Sequence, residues 1–256
     1  MPHVRICVAT ICLLRSRKIE LHQERGKRHI IRVRRNEKGN LMRSILILGT
    51  VLYTLISPAL AEQGDWLVRL RGIVVAPTET AGPVLPAFPT GSVSVDDAIV
   101  PELDFTYFLT NNIGAELILA TSPHNISGEG ALSGLGEIAD VMALPPTLTL
   151  QYHFLPNARL RPYVGVGVNW TIFYSDDAKT SLINALGPTT VNLENSVGVA
   201  FQAGVDYQLT ERFFLNADVK YIDIDTTAVL NSGGAINTVD VSLDPIVAGI
   251  GVGMRF

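Results

Sequence analysis

Two histidines, His124 and His153, are the only histidines after residue 61, and they are the natural candidates for a catalytic base. Nucleophilic catalysis needs a nucleophile, a base and an orienting acid within hydrogen-bond reach of one another. His124 falls in a long predicted loop, and no serine follows a pattern that would place it beside either ring. We therefore expect that this protein is not an enzyme.

Few residues after residue 61 are suited to bind a metal or a cofactor. Both cysteines, Cys7 and Cys12, precede residue 42, so the remainder offers no thiolate ligand and no disulfide. An acidic run could attract divalent cations, but a solvated rim explains it more simply: Asp223, Asp225, Asp240 and Asp244. We expect no metal and no cofactor.

Charged or titratable side chains recur at alternate positions of segments that are otherwise apolar. They are Arg69, Arg71, Asp104, Glu116, His153, Asp206, Asp218, Lys220 and Arg255. Successive side chains of a β-strand point to opposite faces, so this spacing predicts a charged face on a sheet. Because an unpaired buried charge is costly and both signs are present, we expect these groups to pair.

Eight alternating segments separated by turn residues must position those charges. They are 65–75, 100–109, 113–121, 147–154, 162–174, 196–209, 213–226 and 243–256. In the last, every second residue from Ile246 to Phe256 lies on one continuous apolar face, and Val247, three glycines and Arg255 lie on the other. An apolar face about 9–11 residues long that ends on aromatics is typical of a strand that crosses a lipid bilayer. The sequence predicts an all-β fold, an eight-stranded antiparallel transmembrane β-barrel; a soluble lipocalin-like barrel, apolar inside, is the alternative.

The connections between the segments alternate between short and long, as the periplasmic turns and external loops of outer-membrane barrels do. This orientation places the charges in the periplasmic half of the lumen, where they would form a plug. The outer half of the inward face carries apolar side chains in place of charged ones, and it predicts an apolar pocket that opens to the outside. The pocket residues are Ile73, Val75, Ile118, Ala120, Ile222 and Val247.

The amino-terminal part of the chain differs in charge and hydropathy from the rest. Residues 1–41 hold eleven basic and three acidic residues, a net charge of +8, whereas residues 62–256 have a net charge of −13. Between them, 42–61 has the positive start, apolar centre and Ala-Leu-Ala end of a cleaved signal peptide. We interpret 1–41 as a mis-assigned or non-retained extension and 62–256 as the barrel. The acidic barrel is not expected to bind nucleic acid.

Several motifs resemble the outer membrane protein W (OmpW) family. They are Pro-Pro-Thr-Leu-Thr-Leu-Gln-Tyr-His-Phe (145–154), Arg-Pro-Tyr-Val-Gly-Val-Gly-Val-Asn (161–169), Tyr-Ile-Asp-Ile-Asp-Thr-Thr-Ala (221–228), Leu-Asp-Pro (243–245), Asn-Ile-Gly-Ala-Glu-Leu (112–117) and the final Arg-Phe. The resemblance implies an eight-stranded barrel of the bacterial outer membrane, in contact with its lipid and lipopolysaccharide. It also implies passage of small hydrophobic compounds and, in some members, binding of bacteriocins or phage. The ending Gly251, Met254, Phe256 resembles the signal that the barrel-assembly machinery reads.

The pocket and the plug together suggest a mechanism. An apolar solute would enter the pocket, meet the plug, and leave sideways between strands into the bilayer. Pro101 and Pro245 would assist, because proline removes a ladder donor and weakens pairing. The alternatives are a structural or receptor barrel that binds bacteriocin or phage through its external loops, and a lipid-modifying outer-membrane enzyme.

Overall fold

The computed structural model describes residues 63–256, and the predicted extension and signal peptide, residues 1–61, lie outside this range. Within residues 63–256, one α-helix, α1 (Thr180–Leu186), and a 3-10 turn (Ser133–Leu135) accompany the strands. The strands are β1 (Trp66–Ala76), β2 (Thr80–Ala81), β3 (Gly91–Val95), β4 (Ala98–Phe108), β5 (Ile113–Ala120), β6 (Ser122–Gly130), β7 (Glu137–Leu144), β8 (Thr147–His153), β9 (Leu160–Ala178), β10 (Thr189–Leu193), β11 (Ser196–Gln208), β12 (Phe213–Ile222), β13 (Asp225–Ser232), β14 (Ala235–Ser242) and β15 (Ile246–Arg255).

Eight of these strands form a closed antiparallel ring. Their order is β1, β4, β5, β8, β9, β11, β12 and β15, and the pairing of β15 with β1 closes the ring. The register runs without interruption from Leu67 opposite Arg255 to Ala76 opposite Ile246. The predicted eight-stranded antiparallel barrel is therefore confirmed, with each of its strands beginning close to the predicted position.

The predicted long loops are wrong in one respect, because they contain strands of their own. β9 runs to Ala178, beyond the predicted end at 174, and its outer part pairs with β7, which pairs with β6 and through it with β3. A second sheet has the order β10, β13, β14, β2, and it takes residues 225–226, which were predicted to belong to the seventh barrel strand. These strands are not part of the closed ring, and the alternation that some of them carry is shorter than in the barrel strands, as in β14, where Val239 and Val241 are buried and Thr238 and Asp240 are exposed.

The ring has its apolar face outside and its charged face inside. On β15, Ile250 is 72% exposed whereas Val247 is 3% exposed, and Arg69 on β1 is completely buried. Exposed aromatics follow the outer surface: Trp66, Tyr152, Trp170, Tyr207 and Phe256. This arrangement is the reverse of a soluble lipocalin-like barrel. No helix within residues 63–256 is long and apolar enough to cross a membrane.

Glycines on the inward face of β15 make room for large lumen side chains. A Cβ atom at Gly253 would lie 2.1 Å from Cζ of Phe214, and one at Gly251 would lie 2.7 Å from Cα of Arg71. Both distances are too short for a real contact. The small residues of this strand therefore allow aromatic and guanidinium groups from β12 and β1 to fill a narrow barrel.

Candidate functional site in the barrel lumen

The lower half of the lumen is occupied by charged side chains centred on Arg69. Its Nη1 atom donates to Oγ1 of Thr106 at 2.6 Å and to Oε1 of Glu116 at 2.9 Å. Its Nη2 atom donates to Oδ2 of Asp206 at 3.1 Å. The other carboxylate oxygen of Glu116 accepts from the amide of Gln151 at 2.6 Å and from that of Gln202 at 2.9 Å. Arg69 is thus bonded to both carboxylates in a fully buried position.

Arg71 and Lys220 organise the charges one level further from the short turns. The Arg71 guanidinium approaches Glu102 at 2.9 Å, Asp104 at 2.7 Å and Asp218 at 2.5 Å. The Nζ atom of Lys220 donates to Glu102 at 2.8 Å and to Asp218 at 3.0 Å. We call these eight interlinked residues the ionic layer: Arg69, Arg71, Glu102, Asp104, Glu116, Asp206, Asp218 and Lys220.

Aromatic rings close the lumen between the ionic layer and the short turns. Phe108 and Phe214 pack with Leu67 in a small buried cluster. The ring of His153 stacks on Tyr163 with centroids 5.0 Å apart. Because the Gln151 amide nitrogen donates to Glu116, its Oε1 atom accepts, and Nε2 of His153 is the donor at 3.1 Å. His153 is therefore part of the buried network.

Arg255 lies apart from the position expected for it. Its ladder partner is Leu67, the second residue of β1, so the Arg255 side chain lies at the rim of the barrel. There its Nε atom is 3.6 Å from a carboxylate oxygen of Asp65, and its side chain is 15% exposed. The plug hypothesis had placed it with the lumen charges.

The ionic layer has more acid than base. Its five carboxylates face three cations, a formal excess of two negative charges, and Arg161, buried beside the Phe214 ring, adds one positive charge nearer the short turns. Buried ion pairs are costly to break, by about 3–5 kcal/mol for each partner removed. A solute that crosses the lumen along its axis would have to displace several of them at once.

An apolar cavity of about 90 Å³ lies directly above the ionic layer. Its lining includes all six side chains selected from the alternating pattern: Ile73, Val75, Ile118, Ala120, Ile222 and Val247. Glu102 belongs to both the lining and the ionic layer, so its carboxylate forms part of the cavity floor. The polar and apolar halves of the lumen are therefore in direct contact.

Side chains from the long connections line the outer end of the cavity. They are Val84, Leu132 and Leu182, and each is less than 4% exposed. Leu182 belongs to α1, which a hydrogen bond from Lys179 to Asp140 ties to β7. That bond also raises the pKa of Lys179. These apolar side chains cover the outer end of the cavity.

The expectation that no serine lies beside a histidine is wrong. His124 is in strand β6 and not in a loop, and its Nε2 atom is 2.9 Å from Oγ of Ser122. The two residues are separated by one position, and residues i and i+2 of a strand share a face. The ring is oriented by the backbone carbonyl of Asp96, 2.8 Å from Nδ1, and not by a carboxylate. The i, i+2 spacing indicates the pair only once 122–130 is known to be a strand.

Several other lumen residues were missed. Glu102 shares the parity of Asp104 and could have been selected on that ground, as could Thr106. Gln151, Gln202 and Asn216 are uncharged, yet their amides satisfy the buried carboxylates. Within residues 63–256, no group of three or more His, Cys, Asp or Glu side chains is arranged to hold a metal ion.

The three residues of the assembly motif differ in environment. Gly251 faces the lumen against Arg71, Met254 is half-buried, and Phe256 is 65% exposed at the rim. Gly251 thus has a packing role that is independent of recognition by other proteins.

Comparison with known proteins identifies the family of this barrel. The family model described as "OmpW family" matches residues 62–256, the whole predicted barrel. The chain belongs to the OmpW family. Outer membrane protein W of Salmonella typhimurium is 40% identical over 218 residues, which cover 84% of this chain and all of that protein. This relationship confirms the resemblance drawn from the motifs and places the protein in the bacterial outer membrane.

Solved structures support the same assignment. The crystal structure of the outer membrane protein OprG from Pseudomonas aeruginosa matches with a TM-score of 0.72 and 33% identity, covering 76% of this chain and 97% of that one. The solid-state NMR structure of outer membrane protein AlkL in lipid bilayers matches with a TM-score of 0.59 and 27% identity, covering 76% and 91%. These relatives are outer-membrane barrel proteins, and their names describe no enzyme.

Proposed function

We propose that this OmpW-family barrel takes small hydrophobic molecules from the outside into its apolar cavity and releases them sideways into the outer membrane. The observation that carries the proposal is the position of the apolar cavity directly on top of a filled ionic layer. An apolar molecule gains by leaving water for this cavity, but it gains nothing by entering a layer of paired charges. Passage of small hydrophobic compounds, which the resemblance to the family implies, is consistent with a lumen divided into an apolar cavity and an ionic layer.

The size of the cavity bears on the shape of the solute. Its volume of about 90 Å³ is smaller than the ~150 Å³ apolar cavity that accepts benzene in an engineered protein. As it stands, the cavity therefore suits a slim alkyl chain better than a ring. A larger solute requires the side chains that line its outer end to move.

A break in the barrel wall beside Pro101 supports a sideways exit. The ladder between β4 and β5 ends where Glu102 is opposite Ala120. Within the described residues, 98–101 of β4 have no ladder partner in 121–124, and bonding resumes where the amide of Asp96 donates to Asn125. We call this interval the seam. Pro101 lies in it and has no N–H to donate.

The region around Pro245 is different, although proline there was expected to help equally. The amide of Ile222 donates to the carbonyl of Pro245 at 3.3 Å, and that of Thr78 donates to Leu243 at 2.9 Å. Both neighbours of β15 thus remain bonded at this level. A surface depression lined by Ile99, Pro123 and His124 also lies at the seam, and His124 lines the inner cavity as well. These contacts favour the seam beside Pro101 as the exit.

Polar substitution of the cavity lining tests the capture step. Ile118→Asn and Val247→Asn each place an amide in the apolar wall, and an unpaired buried amide costs about 1–3 kcal/mol, so uptake of an apolar compound by intact cells should fall about fivefold or more. Ile236→Asn is the matched control and should leave uptake unchanged, because Ile236 is an exposed residue of β14 in the second sheet. Folding of each variant is checked on gels, where a folded barrel migrates faster than the same protein after heating.

Two results would contradict the proposal. The first is unchanged uptake in both folded cavity variants. The second is a large, stable aqueous conductance of the unmodified protein in planar bilayers, because the ionic layer and the rings below it should block a continuous water-filled path.

A further inference from the structure

Ser122 and His124 form a hydrogen-bonded pair in the wall of the otherwise apolar cavity. Both side chains line it, and both are buried, at 4% and 8% exposure. The pair lies on β6, which is not one of the eight ring strands and adjoins the seam. The bond between His124 and Asp96 explains why the ring is held in place, but it does not account for the serine on its other side.

The proton positions of the pair follow from its partners. The backbone carbonyl of Asp96 can only accept, so Nδ1 of His124, 2.8 Å away, carries a hydrogen. In the neutral ring Nε2 is then an acceptor, and the hydroxyl of Ser122 donates to it at 2.9 Å. The serine has used its hydrogen, while the lone pairs of Oγ remain. A hydroxyl that donates in such a chain is a better acceptor.

The rest of the cavity selects against charge. Its lining is apolar apart from a few groups, and its floor contains Glu102, which belongs to an ionic layer with an excess of carboxylates. A solute with a carboxylate would bring a further negative charge to this floor. A neutral solute that donates one hydrogen bond meets an acceptor and no repulsion.

We propose that the Ser122–His124 pair is a hydrogen-bond acceptor site for the hydroxyl group of neutral amphipathic solutes, such as aliphatic alcohols, whose hydrocarbon part occupies the apolar cavity. This inference rests on the proposed function, since it names the class of molecule that the cavity takes. It predicts selectivity for a donor group, which burial of hydrocarbon alone does not produce.

Two isomers separate the two effects. 1-Hexanol and methyl pentyl ether have the same atoms and nearly the same size, but only the alcohol can donate. Binding is followed in the purified protein in lipid nanodiscs by NMR titration of the labelled methyl groups of Ile118 and Val247, with empty nanodiscs to correct for partition into lipid. Because a net hydrogen bond contributes about 0.5–1.5 kcal/mol, we expect the alcohol to bind about two- to tenfold more tightly than the ether.

Three variants assign the preference to the pair. The double variant Ser122→Ala with His124→Phe removes both acceptors of the pair and should bind both isomers equally, whereas Ser122→Ala alone leaves Nε2 of His124 free to accept. Ser122→Thr keeps the hydroxyl and should keep the preference. Thr226→Val is the matched control, because the hydroxyl of Thr226 lines the same cavity but bonds to the backbone carbonyl of Glu194 at 2.7 Å and not to a histidine. If the Ser122–His124 pair is the site, this variant should also keep the preference.

The outcomes separate this inference from the proposed function. If the unmodified protein binds both isomers equally, or if the preference survives in the folded double variant Ser122→Ala with His124→Phe, the acceptor site is refuted while capture in the cavity stands. If neither isomer shifts the Ile118 and Val247 methyl signals, capture in the cavity is itself refuted, and the acceptor site with it.

Discussion

The ionic layer depends on Arg71 more than on its other members, because its guanidinium lies 2.5–2.9 Å from three carboxylates. Arg71→Met keeps the apolar stem and removes the charge. Glu102 and Asp218 retain Lys220 at 2.8 and 3.0 Å. Among the ion pairs of residues 63–256, Asp104 takes part only in the one with Arg71, at 2.7 Å, so it is left as an uncompensated buried carboxylate. The loss of one buried partner costs about 3–5 kcal/mol, and we expect the free energy of unfolding to fall by that amount.

A double-mutant cycle tests the attribution to Asp104. Asp104→Asn alone also breaks the pair and should destabilise the barrel. In the double variant Arg71→Met with Asp104→Asn, no uncompensated charge remains at this point. Its cost should therefore be lower than the sum of the two single costs, by an interaction energy of about 2–3 kcal/mol, the upper part of the range for contacting residues.

Urea unfolding of the folded barrel in lipid vesicles measures these differences through the fluorescence of Trp66 and Trp170. Arg159→Met is the control: Arg159 is exposed near the short turns with its guanidinium 5.7 Å from the Tyr207 ring centroid, and its loss should cost no more than about 0.5 kcal/mol. The reasoning is refuted if Arg71→Met costs no more than Arg159→Met, or if the two lumen substitutions are additive.

Two further predictions concern the exit and assembly. Pro101→Val restores a backbone donor at the seam, so transfer of a bound fluorescent apolar probe from the barrel to acceptor vesicles should slow severalfold. Pro245→Val is the control and should not change the transfer rate, because the ladder is continuous there. Equal effects of the two substitutions would argue against the seam as the exit. If the assembly machinery recognises the terminal motif, Phe256→Ala should slow the accumulation of folded barrel in pulse-labelled cells. Phe213→Ala, at a residue exposed at the same rim, is the control and should not slow it. Equal rates for the two variants would show that Phe256 has no role in recognition during assembly.

The charge pairing in the lumen shows what the alternating sequence pattern can predict and what it cannot. It assigns Arg69, Asp104 and Glu116 to the inward face, because the side-chain direction repeats every two residues along each strand. It does not identify partners. Arg69 stands opposite Asp104 in the ladder, yet its guanidinium bonds to Glu116 and to Asp206, which is 137 positions away in the chain.

The outer part of the barrel was the least predictable. Residues 122–130 carry polar side chains on both faces, so no alternation indicates a strand, although β6 is held there by backbone bonds to β3 and β7. The pair of Ser122 with His124 was lost for that reason. Arg255 was placed too deep, because its depth depends on the register with β1.

The sequence by itself determined the number of barrel strands, the lipid-facing and lumen-facing side of each, the family, and the set of apolar residues now found around the cavity. These properties depend on local alternation and on motifs, which can be read along one chain. The tertiary structure decided which carboxylate each cation holds, that the outer end of the cavity is covered, where the wall is interrupted, and that a serine and a histidine meet in the cavity wall. Those properties depend on register, barrel closure and the path of long connections, which bring together residues that are far apart in the chain.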